Sequence, residues 1–277
     1  MLQLLRHYTL TVYVCLFATF SMAHGPAHER IAHLTKKIEK NPTDYNLYID
    51  RAGLYKIDGN FDKSYADYMK AKSLKSDIAN MDYMLAELFY EFDYFESALA
   101  SINSFQKLNR SLAVCYNYKA KIFDKLFEAD SALLYAELSY PYQAKPSTRF
   151  FVTVKEYALF ANKEDYAKAS YWLEEGKRRL PFDLVIQEEY VKLAMKFGDF
   201  DKAIALCNEK IGSLKRKEYW YFLLATAQTE AGKKEDALKN LVRASESIEK
   251  LPRNHKSTSY IANLRKDIEL KQQQLKS

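Results

Sequence analysis

The stretch "KFGDFDKAIALC", residues 196–207, sets a glycine, Gly198, just ahead of an acidic-aromatic pair and follows it five residues on with Ala203. Nearly the same phrase occurs as "IDGNFDKSYADY" at 57–68 and "EAGKKEDALKNL" at 230–241. Aligning it along the chain brings Ser64, Ala98, Ala132, Ala169, Ala203 and Ala237 into one column, with intervals of 34, 34, 37, 34 and 34 residues. A fixed period of this length is the signature of a repeat architecture. A second column of Ala52, Ala86, Ala120, Val191 and Ala225 lies twelve residues upstream of the first, and the fourth copy departs from it with Tyr157 followed by Ala158.

Large residues three and four positions from the small ones, such as Tyr48, Ala52 and Tyr55, share one helical stripe. Each copy therefore reads as two antiparallel helices meeting at small side chains, with aromatics filling the space around the contact. Gly59, Gly198 and Gly232 fall between the paired helices, where a left-handed backbone ends a helix at little cost. Asp44, Asp77, Ser147 and Asp183 stand where N-caps are expected. Pro42, Pro146, Pro181 and Pro252 follow second helices and stop them. The three extra residues of the long interval belong to the loop "SYPYQAKPSTR".

These columns resemble the tetratricopeptide repeat, a 34-residue helix–turn–helix unit. The resemblance rests on "GNFDKS" with Ala52, Tyr55, Tyr68 and Ala71, on "GDFDKA" with Tyr190, and on Pro181. It covers six copies over residues 45–251, with Asp93 and Phe127 in place of the turn glycine in copies two and three and Lys234 in place of the aromatic in copy six. Residues 24–44 form an N-terminal half copy with Ile31, Leu34 and Ile38 on one face. Residues 252–277 form a C-terminal capping helix that presents Ile261, Leu264, Ile268 and Leu275 to the open end of the stack. The expected fold is an all-α solenoid.

With 48% hydrophobic and 28% charged residues the chain can bury a core, and seven glycines and six prolines suit long helices better than an all-β fold. The net charge of +6 is interleaved along the chain, so nucleic acid is not an expected partner. "MLQLLRHYTLTVYVCLFATFSMAHG" places Arg6 before an apolar run and small residues at 21–23, the pattern of a secretory signal cut between Ala23 and His24. A secreted or periplasmic protein follows, with a membrane attachment expected only if this segment stays uncut. Cys115 and Cys207 fall in different copies and read as core residues without a bridge.

The resemblance implies a concave groove lined by first helices, suited to a peptide or partner protein. Residues placed there by helical spacing are Tyr83, Glu87, Tyr90, Asn117, Lys121, Phe151, Val154, Glu188, Lys192, Tyr219 and Phe222, with the four aromatics Tyr83, Tyr90, Tyr219 and Phe222 as exposed anchors. Asn117 and Lys121 stand in the reverse order of the lysine-then-asparagine ladder by which chaperone-binding relatives hold a terminal carboxylate. "HERIAH" at 28–33 separates its histidines by five residues, about 140° apart around a helix, which fails the H-E-x-x-H metalloprotease geometry. No other hydrolase or nucleotide-binding motif is present, so no catalytic residue and no cofactor is expected. An alternative is metal handling. After cleavage the amine and imidazole of His24, with His28, resemble the histidine brace of exported copper proteins. "NRS" at 109–111 is a glycosylation sequon by letters alone.

Overall fold

The computed structural model describes residues 27–108, 112–161 and 165–277; the proposed signal segment, His24 and the 109–111 sequon lie outside them. Among the described residues the regular structure is helical, a solenoid of helix–turn–helix repeats with a helix added at each end. It divides into two compact units, residues up to Phe127 and residues from Glu128 onward, each described by itself.

The first unit holds α1 (residues 27–40), α2 (Tyr45–Ile57), α3 (Phe61–Leu74), α4 (Met81–Glu91), α5 (Phe95–Leu108) and α6 (Leu112–Lys125). The second holds α7 (Ala129–Ser139), a 3-10 turn (Tyr140–Tyr142), α8 (Thr148–Phe160), α9 (Tyr166–Arg179), α10 (Leu184–Lys196), α11 (Phe200–Ser213), α12 (Glu218–Glu230), α13 (Lys234–Glu249), the short α14 (Arg253–Lys256) and α15 (Ser259–Lys276). The 3-10 turn stands within the long interval between copies three and four.

The two columns of small residues are buried without residual exposure at Ala52, Ser64, Ala86, Ala98, Val191, Ala203, Ala225 and Ala237. Copy one shows why. Ser64 replaces alanine there, and its hydroxyl donates to the Ala52 carbonyl of the facing helix at 2.8 Å. The two backbones thus approach closely enough for a hydroxyl to span them, which leaves no room for a larger side chain.

Copies one, two, five and six join their helices by the same three-residue turn. Gly59, Gly198 and Gly232 adopt φ of 75°, 75° and 72°, and Asp93 takes the same left-handed conformation at 62°. In each, the N–H of this residue bonds three residues back and that of the next residue bonds five back, as in Asp93 to Tyr90 at 3.2 Å and Tyr94 to Phe89 at 2.8 Å. This is a Schellman end, which satisfies carbonyls that the helix leaves open. In copies one and five the closing residue also begins the next helix. Asn60 and Asp199 accept from the backbone N–H of Lys63 and Lys202 at 3.1 and 3.2 Å. Phe127 of copy three is left-handed as well, at 60°. The missing glycines therefore do not disturb the phase.

Asp44, Ser147 and Asp183 cap α2, α8 and α10. Asp77 does not cap α4. Six residues separate α3 from α4, Asn80 occupies the cap position, and Asp77 lies exposed in the turn before it.

In the first unit Arg51 of α2 grips Asp67 of α3 through two bonds of 2.7 and 2.8 Å and donates to Thr35 of α1 at 3.0 Å, tying three helices together. In the second, α15 lays Ile261, Leu264, Ile268 and Leu275 on the core formed by α12 and α13. Each such aliphatic side chain contributes about 1.5–3 kcal/mol on burial, so the stack ends in a covered face. Cys115 and Cys207 are free and buried, and burial pushes the Cys207 thiol up to about 12.

Candidate functional site

Contacts between successive copies recur near the repeat length. In the second unit they link the first helices into one face. Lys155 of α8 meets Glu189 of α10 at 2.8 Å, and Glu189 meets Lys192 at 3.2 Å. Lys192 also holds Glu188 at 2.7 Å, and Glu188 accepts from the Tyr219 hydroxyl of α12 at 2.7 Å. The Tyr219 ring lies 6.4 Å from that of Tyr260 on α15. The elements α8, α10, α12 and α15 are thus joined along one line.

Lys155 is 4% exposed. Burial alone would lower its pKa, but hydrogen bonds from its ammonium to Glu156 and Glu189 raise it above the ordinary lysine value. The Glu189 carboxyl is pushed up by burial and pulled below its ordinary value by Lys155 and Lys192, which prevail. Burial, with the bond to Glu188, raises the Tyr219 phenol. Lys155, Glu189 and Lys192 are therefore charged and paired at neutral pH, and the Tyr219 phenol keeps its proton.

A cleft of about 540 Å³ opens where α10, α12 and α15 begin, lined by Leu184, Glu188, Arg216, Tyr219, Trp220 and Tyr260, with Glu218 beneath. Arg216 donates to Glu218 through Nε and Nη2 at 2.8 and 2.6 Å. Leu184 and Tyr260 are 43% and 52% exposed, whereas Trp220 is buried as the floor.

The first unit carries its own first-helix face. Lys56 of α2 bonds Glu87 of α4 at 3.1 Å. The rings of Tyr83 and Tyr90 each stand 5.6 Å from that of Tyr118 on α6. Asn117 is half-buried, and Lys121 is exposed with its ammonium 5.6 Å from the Tyr118 ring. A cleft of about 520 Å³ lies between α1 and α2, lined by Arg30, His33, Asp50, Gly53, Lys56 and Ile57 among others.

Two expectations need correction. Phe151 and Val154 do not face a groove; they are 0% and 1% exposed. The cause is a shift of register in copy four, where Ala158 is the fully buried small residue of α8, eleven residues before Ala169 instead of twelve, with α8 ending at Phe160 and α9 beginning at Tyr166. One residue turns a helix by about 100°, so Phe151 points at Gly176 of α9 and Lys155 is turned to Glu189 of α10. The second correction concerns the aromatic anchors. Tyr83, Tyr90, Tyr219 and Phe222 are half-buried, with Tyr83 and Tyr90 packed on the core of α4–α6 and Tyr219 and Phe222 on that of α12, α13 and α15. Their rings fill the space between successive elements before they meet solvent.

Sequence reasoning missed Lys155, Glu189, Leu184, Trp220, Arg216 and Tyr260. Moving the copy-four register to Ala158 would have found Lys155. His28 lies 3.6 Å from the Asp58 carboxylate. Among the described residues no cluster of three His, Cys, Asp or Glu forms a metal-binding group, and no helix is long and apolar enough to cross a membrane.

No protein-family model and no curated protein matches the chain. Solved structures do. A tetratricopeptide repeat protein from Parabacteroides merdae ATCC 43184 is similar over 89% of this chain and 94% of its own, with a TM-score of 0.51 and 16% identity. The chain has the tetratricopeptide-repeat fold. The structure of Naa15/Naa10 bound to HypK-THB is similar over 89% of this chain and 39% of its own, with a TM-score of 0.53 and 16% identity. At such identities the likeness establishes the tetratricopeptide-repeat architecture, and function has to be argued from the faces that this architecture builds.

Proposed function

We propose that the protein is a non-catalytic interaction scaffold that holds a partner protein or peptide on the first-helix face of its second unit. The observation that carries this reading is the run of first helices α8, α10 and α12, tied to one another from Lys155 to Tyr219, beside an open cleft with apolar walls. A surface held rigid by its own ion pairs loses little entropy when a partner docks. The N-terminal sequence supports placing the protein outside the cytoplasm; mass spectrometry of the exported chain tests this, and a first residue other than His24 would also remove the proposed histidine chelate.

The test of the binding role is capture of a cross-linked partner in cells by the wild-type chain and by two variants. Thr226, half-buried one turn after Phe222 on α12, donates its hydroxyl to the Phe222 carbonyl at 3.0 Å, and Thr226→Arg obstructs the face there, whereas Lys239→Ala changes an exposed side chain of α13. Loss of the same partner with Thr226→Arg and its retention with Lys239→Ala is the expected result. Equal capture by both variants removes the face from consideration.

A further inference from the structure

The cleft at the start of α10, α12 and α15 combines two features that the line of ion pairs does not explain. Its apolar side is unusually open. Phe182, Leu184 and Val185, nearly consecutive in the chain, are 94%, 43% and 54% exposed, and Tyr260 across the cleft is 52% exposed. Isolated exposed apolar residues are ordinary, but Leu184 and Tyr260 line the cleft together, and apolar exposure within a cleft marks an interaction surface.

The second feature is charge. The segments entering α12 and α15 read "LKRK" at 214–217 and "KLPRNHK" at 250–256, with no acidic residue in either. Arg216 lines the cleft between Lys215 and Lys217, and the second segment leads into α15 a few residues before Tyr260. Lys215, Lys217, Lys250 and Arg253 have no carboxylate partner among the described residues, while Arg216 holds Glu218 with half its side chain in solvent.

The acids at the same place are all engaged. Glu188 is held by Lys192 and Tyr219, Glu218 is 3% exposed beneath Arg216, and Asp183 caps α10 while accepting from Thr148. Lys215 and Lys217, flanking Arg216 in the chain, therefore bring cations without a carboxylate partner to the mouth of the cleft, whereas Lys256 of the second segment is paired with Glu249. A volume of about 540 Å³ lies within the roughly 300–1,000 Å³ typical of pockets for drug-sized ligands, room enough for a large side chain and its neighbours.

We infer that this cleft takes an acidic peptide segment of the partner, seating one large apolar side chain against Leu184, Tyr219 and Tyr260 and its carboxylates against Lys215, Arg216 and Lys217. The inference rests on the binding role proposed above and specifies the chemistry of the bound segment. Charge on the rim steers encounter and sets salt dependence, whereas the seated apolar group sets how long the complex lasts.

The test uses the full chain and three labelled peptides read by fluorescence anisotropy: glutamates around a central phenylalanine, the same with lysine for glutamate, and the same with alanine for phenylalanine. The Glu–Phe peptide should bind and weaken steadily with added salt, and the other two should bind at least about tenfold less well, a difference of about 1.4 kcal/mol. The double variant Lys215→Glu/Lys217→Glu, at the exposed Lys215 and at the half-buried N-cap residue of α12, should lose binding by a similar factor while its circular-dichroism melt stays that of the wild type. Tyr260→Ala should weaken the Glu–Phe peptide without abolishing its salt dependence. Equal binding of the three peptides, or indifference to the charge reversal, overturns the inference. So does a single-stranded oligonucleotide that binds more tightly than the peptide and ignores Tyr260→Ala, since that describes a surface for polyanions. If the Glu–Phe peptide fails while capture still depends on Thr226, this inference falls and the binding role stands; if capture is indifferent to Thr226, the binding role falls first.

Discussion

Phe127 offers a direct test of the repeat turn, because it places an aromatic residue where other copies use glycine. Its φ is 60° and its side chain is 95% exposed. A left-handed conformation costs an ordinary L-residue about 1–2 kcal/mol. Exposure means that removing the ring forfeits almost no burial. Glycine adopts the conformation freely but adds about 0.5–1 kcal/mol of entropy to the unfolded chain. The difference predicts that Phe127→Gly stabilises the protein by about 0.5–1 kcal/mol, a rise in melting temperature of about 1–4 °C for a chain of this size. Asp93→Gly serves as a comparison, since a short polar side chain tolerates φ of 62° better and the gain should be smaller. Gly198→Ala imposes the penalty in reverse; a Cβ there meets nothing within 4 Å, so the expected loss of about 1 kcal/mol is backbone strain alone. Thermal and urea unfolding followed by circular dichroism should rank the variants Phe127→Gly, Asp93→Gly, wild type, Gly198→Ala. A destabilised Phe127→Gly would show that the aromatic ring is required there and that the shared left-handed turn is not what limits stability.

Three further outcomes are expected. Ala203→Leu should overpack the α10–α11 contact and cost about 1–3 kcal/mol, read from urea midpoints; an unchanged midpoint would break the alignment of the small residues. Gly176→Ala should be destabilising, because its Cβ would come within 2.9 Å of Phe151 Cγ, and the additional change Phe151→Leu should restore part of the loss; an unaffected single variant would mean that α8 and α9 separate freely. Acid should loosen the second unit: Glu189 is raised by burial but held below its ordinary value by Lys155 and Lys192, and Glu175 is drawn down to about 2, foremost by its bonds from Arg178. These folded pKa values lie below the unfolded value of about 4.3, so the stabilisation is complete above that value and is lost as pH falls through the folded ones. Unfolding midpoints should drop on acidification, and Glu189→Gln should shrink the drop; a slope indifferent to that variant would remove Glu189 from the account.

The repeat was legible because its cause is local and periodic. Close approach of two backbones favours small side chains at Ala52, Ala86, Ala203 and Ala225, and the 34-residue period keeps those positions in step. The turns were less legible than they needed to be. Glycine as the turn signal is absent from copies two and three, although the turn requires only a left-handed residue and the surrounding bonds hold Asp93 there as they hold Gly198. The faces were hardest to read, for two reasons that differ in kind. In copy four a shift of one residue moved Phe151 into the core and brought Lys155 to Glu189, so a pattern extrapolated from neighbouring copies failed where its register changed.

The cleft failed to appear for another reason: its walls come from elements that the period does not relate. Leu184 begins α10, Arg216 belongs to a link between copies, and Tyr260 belongs to the cap, which lies beyond the last repeat. A periodic alignment assigns such residues to loops and ends, where they carry no weight. The physical requirement that concealed them also suggests where to look in other solenoids. Repetition fixes the small residues and aromatics between helices, leaving less freedom there for recognition. Links and caps escape that constraint, and around this cleft they hold Lys215, Arg216, Lys217 and Tyr260.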